Sequence, residues 1–102
     1  MKRPPRHPDI CPNHPGELLR EIVLPAVPLT KTEVARALGI SRQTLYDILA
    51  EKQPVTPNIA IRLGHYFGNG PAFWLNMQTA HDIWHAQRKV DLSKMKPLKQ
   101  AG

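Results

Sequence analysis

Apolar residues recur at helical spacing in five stretches of the chain, each bounded by a proline, a glycine or a hydroxyl side chain. Nowhere do apolar and polar positions alternate strictly enough to predict a strand. The first stretch opens near Pro15, carries Leu18, Leu19, Ile22 and Val23 on one side, and ends at Pro25. Glu17 sits in its first turn, where the helix dipole favours an anion. Pro28 stiffens the connection that follows. In the second stretch Val34, Ala35 and Leu38 form the stripe, Thr30 caps, Glu33 reaches back to the cap, and Leu29 can staple against Val34. Gly39 stops this helix, because glycine accepts the left-handed conformation at little cost. Ile40 fills the corner, Ser41 caps a third helix, and Leu45, Ile48 and Leu49 turn inward from it. Thr56 and Pro57 open a fourth helix with Ile59, Ala60, Leu63 and Phe67 inside and Gly68 at its end. A fifth runs from Pro71 to about Arg88. The pattern therefore predicts an all-α fold, a five-helix bundle over residues 14–88. A proline-rich extended lead, 1–13, precedes it and a basic flexible tail, 89–102, follows it.

Residues 30–51, TKTEVARALGISRQTLYDILAE, combine a capping box, a glycine turn and a second cap within one window. That combination predicts a helix-turn-helix, with the small Ala35 letting the two helices approach closely. Left outward on the second of these helices are Arg42, Gln43, Thr44, Tyr46 and Asp47, donors and acceptors suited to base edges and phosphates. An ordinary pair of packed helices explains Val34, Leu38, Leu45 and Ile48 equally well. It does not explain an exposed face that opens with Ser-Arg-Gln-Thr, where surface helices favour Lys and Glu.

Charge qualifies this picture more than it drives it. The 102 residues carry a formal net charge of +6, which suits a polyanionic partner. Between residues 30 and 52, however, four cations face three anions, so the helix pair looks like a reader rather than a basic patch. The excess lies at the ends, in Lys2, Arg3 and Arg6 and in Arg88, Lys89, Lys94, Lys96 and Lys99. These ends serve either sequence-independent phosphate attraction or solubility alone. The tail has few apolar residues with which to dock by burial. No run approaches the ~20 apolar residues of a membrane span, and no signal peptide follows Met1. The single cysteine excludes an intrachain disulfide and fits a cytoplasmic protein.

The fifth helix holds both tryptophans of the chain. A domain this small does not easily bury Phe73, Trp74, Met77, Ile83 and Trp84 together, so part of this set is expected to form a dimer contact. The same helix carries His81 and His85 four residues apart, in a weak likeness of the HExxH zinc motif. Asp82 is one methylene shorter than that motif's glutamate. His65, His7 and His14 offer no convincing third ligand, and Cys11 reads as an incidental thiol. Neither a metal nor another cofactor is expected, and no catalytic constellation is visible, so the chain is not read as an enzyme.

HPGELLRE (14–21), the helix pair, TPNIAIRLGHYFGNGPAFWLNMQ (56–78) and the AHDIW that follows together resemble the HigA-type antitoxins. These belong to the phage-repressor-like helix-turn-helix group, also called virulence-associated protein I-like. The resemblance covers about residues 14–88, and its most specific part is the FG, P, FWLN and Q signature. It implies a homodimer that binds double-stranded operator DNA, neutralises a HigB-type toxin (a ribosome-dependent mRNA endonuclease) and represses its own operon. Carried onto this sequence, the group's base contacts fall on Arg42, Gln43, Tyr46 and Asp47, and its phosphate contacts on Thr30, Lys31, Thr32 and Ser41. The Pro25 and Pro28 linker and the basic tail depart from the shared pattern. A stand-alone transcriptional regulator is the alternative, which an adjacent toxin gene would distinguish, and a zinc hydrolase is a distant third.

Overall fold

The computed structural model describes residues 10–98. It contains α1 (Pro15–Leu18), α2 (Lys31–Leu38), α3 (Arg42–Leu49), α4 (Pro57–Phe67) and α5 (Pro71–Gln87), and no strand among the described residues. The local signals act as their chemistry dictates. Thr30 Oγ1 accepts from the Glu33 amide at 3.1 Å while the Glu33 carboxylate accepts from the Thr30 amide at 3.0 Å. Hydrogen bonding from the Thr30 backbone, and then from the Thr30 hydroxyl, holds the Glu33 carboxyl below its ordinary 4.5. Gly39 adopts φ 74° at the end of α2, and Ser41 Oγ accepts from the Thr44 amide at 3.0 Å to start α3. Thr56 caps α4, with Pro57 at its first position.

The first helical stretch departs from the expected register. After α1 the backbone widens into a π-helical turn, Leu19–Val23, and then tightens into a 3-10 turn, Leu24–Ala26. The Leu24 amide bonds the Leu19 carbonyl, five residues back. Side chains five apart therefore share the inner face, so Leu19 and Leu24 are buried while Ile22 is 64% exposed. Pro25 closes the wide turn and is accommodated in the 3-10 turn, where its missing amide costs no bond.

The core gathers Leu19, Val34, Leu38, Leu45, Ile48, Val55, Leu63 and Trp74, with Ile40 and Phe67 packed on its margin. Two glycines that carry no turn set how closely helices meet. A Cβ on Gly16 would strike the Ile48 carbonyl of α3, and one on Gly64 would strike the backbone of Gly70 and Pro71 at the start of α5. His14 is buried ahead of α1, where its Nδ1 accepts from the Gly16 amide at 2.9 Å. Burial and then the charge of His81 hold His14 below its ordinary 6.5, against Glu51, Asp82 and a hydrogen bond with the Gln53 backbone.

Gln78 is the buried polar tie between α5 and the loop that leads into α4. Its Oε1 accepts from the Val55 amide at 2.8 Å, and its Nε2 donates to Asp82 at 2.9 Å. Gln78→Ala strands the buried Val55 amide, so urea melts should show a loss of about 1–3 kcal/mol. Asp82→Ala removes only the exposed acceptor of the Gln78 Nε2 and leaves the Val55 amide bonded, so it should lose less. Equal losses from the two substitutions would dismiss the amide contact as the cause.

Candidate nucleic-acid interface

The outward face of α3 and the first turn of α2 lie side by side. Lys31 Nζ stands 5.6 Å from the centre of the Tyr46 ring, which brings the beginning of α2 over the middle of α3. Thr30, Lys31, Thr32, Ser41, Arg42, Gln43 and Tyr46 are exposed, and Thr44 and Asp47 are half-buried. All nine predicted DNA-contact residues are thus open to solvent at least in part. Two helix N-termini contribute unpaired amides and positive dipole ends to the same surface, favouring phosphate oxygens.

Side chains on this face are partly pre-set. Ser41 Oγ donates to Thr44 Oγ1 at 2.7 Å, and Gln43 Nε2 donates to Asp47 Oδ1 at 2.8 Å. The second bond spans one helical turn and holds the Gln43 amide beside the Asp47 carboxylate. Arg42 is exposed and makes no hydrogen bond or ion pair among the described residues, so its five N–H donors are uncommitted. A guanidinium left open at the start of a helix is suited to the O6 and N7 of a guanine.

Residues outside the predicted set fix the angle of the helix pair. Arg62 of α4 donates to the Leu38 carbonyl at 3.0 Å and the Gly39 carbonyl at 3.4 Å, and its Nε donates to Asn58 at 2.8 Å. It thereby caps the C-terminus of α2 from a neighbouring helix. Arg20 does the same for α3, donating to the Leu49 carbonyl at 2.6 Å and pairing with Glu51 at 3.3 Å. The only sequence signal for either was a cation placed amid apolar spacing, which an exposed helix face produces equally well.

The surface expected for a dimer contact is smaller than its sequence implies. Trp74 is fully buried, with its Nε1 donating to Asn69 at 2.9 Å and its ring against Phe67 and Phe73. It is therefore a core residue, and its expected place on an exposed patch is corrected. Trp84 is half-buried, its ring covered by the Arg88 guanidinium at 3.4 Å. Met77 is half-buried, while Phe73 and Ile83 stay exposed. Ile83 lies about half a turn round α5 from Trp74, since each residue advances the helix ~100°.

The chain matches the helix-turn-helix family over residues 19–75. It is 41% identical to "Virulence-associated protein I" of Dichelobacter nodosus, over 83% of this chain and 80% of the relative. It is 33% identical to "Antitoxin HigA-1" of Vibrio cholerae, over 81% of this chain and 80% of that protein. The chain belongs to the HigA-type helix-turn-helix antitoxin family. A solved HigA-type structure, the Pseudomonas aeruginosa antitoxin HigA with higBA promoter, superposes with a TM-score of 0.77 at 35% identity, covering 86% of this chain and 99% of that one. The HigA-type family is one of DNA-binding regulators, not of enzymes. No helix among the described residues is long and apolar enough to cross a membrane.

Two predicted features fall elsewhere. Lys2, Arg3, Arg6, His7 and Lys99 lie outside the described residues. Cys11 is not isolated as its sequence context implied, because the chain before α1 returns across α5. Its Sγ stands 3.7 Å from His81 Nδ1 and 3.6 Å from His85 Nε2.

Proposed function

We propose that this chain is the DNA-binding antitoxin of a bacterial toxin–antitoxin operon. It acts as a homodimer in the cytoplasm, neutralises a HigB-type mRNA-cleaving toxin and represses its own operon. Arg42 carries the reading: its guanidinium is open at the start of α3, beside the N-termini of α2 and α3. Base contacts are assigned to Arg42, Gln43, Tyr46 and Asp47, and phosphate contacts to Thr30, Lys31, Thr32, Ser41 and Thr44. A dimer through the exposed part of α5, with Phe73, Met77 and Ile83 at the contact and Trp84 at its edge, sets two recognition helices about one helical turn apart, ~34 Å. The operator is then an inverted repeat.

Gel shifts on the DNA upstream of the gene, together with co-purification of the neighbouring gene product, test this reading. Arg42→Ala should weaken operator binding by roughly 1–3 kcal/mol and relax preference at one position of each half-site. Equal weakening on every operator variant would reduce Arg42 to a phosphate contact. A footprint without two-fold symmetry would overturn the dimer arrangement.

A further inference from the structure

The geometry points to a zinc-type metal site formed by Cys11, His81 and His85, joining the segment ahead of α1 to the C-terminal half of α5. The donor atoms of these three residues all lie within 4.8 Å of one another. The two sulfur-to-nitrogen distances, 3.7 and 3.6 Å, are more informative. A tetrahedral zinc with bonds of about 2.3 Å to sulfur and about 2.05 Å to nitrogen holds those atoms roughly 3.6 Å apart. The spacing therefore fits one ion between them with little movement.

Each donor is placed for a separate reason. His81 and His85 are one turn apart on α5, with ring centres 4.5 Å apart, so the helix fixes their relation. Cys11 reaches them from 70 residues earlier in the chain. It is held there by the Pro12 carbonyl, which accepts from His81 Nδ1 at 2.9 Å. His14 packs edge-on against His81 at 5.1 Å and limits how the ring can turn. The Pro12 oxygen is also 3.4 Å from Cys11 Sγ, so the fourth position falls to this carbonyl or to a water.

One thiolate and two imidazoles select a borderline ion such as zinc, whereas magnesium and calcium require oxygen ligands. Binding replaces the thiol proton, which leaves to solvent. The proton on His81 Nδ1 moves to Nε2, since a metallated nitrogen carries none, so one proton is released per ion when both imidazoles start neutral, the condition under which the count is read. The bound ion closes a long loop of chain and fixes residues 11–14 on α5.

Titration of the tag-free full chain with zinc alone, followed by calorimetry and native mass spectrometry, should give one ion per chain with release of one proton. Cobalt(II) should add a thiolate-to-cobalt charge-transfer band in the near ultraviolet. Cys11→Ser should abolish that band and weaken binding by more than about 100-fold, beyond the cost of losing an outer hydrogen bond. His85→Ala alters an exposed residue, so it tests the site even if Cys11→Ser misfolds, and it too should lose the ion. Absence of stoichiometric zinc, a cobalt complex without the thiolate band, or unchanged binding in both variants overturns the site.

Discussion

Trp74→Ala should cost about 3–5 kcal/mol of folding stability, the range for removing a buried tryptophan. For a domain of this size that is a large share of the margin, which runs at ~0.05–0.15 kcal/mol per residue, about 5–15 kcal/mol. The ring is fully buried against Phe67 and Phe73 at the place where α5 meets α4. Beside it, α4 and the start of α5 already meet at backbone contact, where Gly64 approaches Gly70 and Pro71. Trp74→Phe keeps most of the bulk but leaves the Asn69 carboxamide without the indole N–H, and should lose less, about 1–3 kcal/mol. Urea melts of the three proteins check the order. If Trp74→Ala stayed near wild-type stability but shifted light scattering from dimer to monomer, the residue would belong to an interface and its place in the core would be refuted.

That result bears on how much the sequence discloses. The capping box of Thr30 and Glu33, the Gly39 turn and the Ser41 cap are contacts between residues at most four apart, and all form as their spacing implies. Local chemistry thus made α2 and α3 legible, and with them the residues of the candidate interface. Helix α5 also lies where its bounding proline places it, but Trp74 is in the core because the buried side of the helix is not its most apolar one. Polar Gln78 and half-buried His81 share that side with Trp74, while Phe73 and Ile83 face outward. No periodicity of apolar residues announces a helix that buries a glutamine to satisfy a loop amide.

The π-helical turn was hidden for a different reason. Leu18, Leu19, Ile22 and Val23 obey ordinary helical spacing, and only packing selects the wider register in which Leu24 replaces Ile22 inside. The meeting of Cys11 with His81 and His85 depends on the path of the chain over 70 residues, to which no local signal is sensitive. Arg62 and Arg20 act likewise across tertiary contacts, each closing a helix terminus that its own segment left open.

Operator affinity should depend steeply on salt, and most of that dependence should reside in residues 89–102. Each phosphate neutralised adds about 0.9 to the slope of log affinity against log salt concentration. On the helix pair itself Lys31 is the cation placed beside the recognition face, giving a slope near 2 for a dimer if Arg42 reads a base. The tail contributes Lys89, Lys94, Lys96 and Lys99, four cations per chain and so eight per dimer. If all engage phosphates, trimming 89–102 flattens the slope by about 7, which over a fourfold range of salt corresponds to roughly 10⁴ in affinity. The ranking of operator variants should be unchanged, since phosphate contacts carry no base information. The described part of the tail supplies the competing outcome. Val90, Leu92, Met95 and Leu98 are all more than half exposed, more apolar surface than a purely electrostatic arm requires. A trimmed protein that keeps the full salt slope yet no longer captures the toxin would assign those side chains, and the tail with them, to a protein partner instead of DNA.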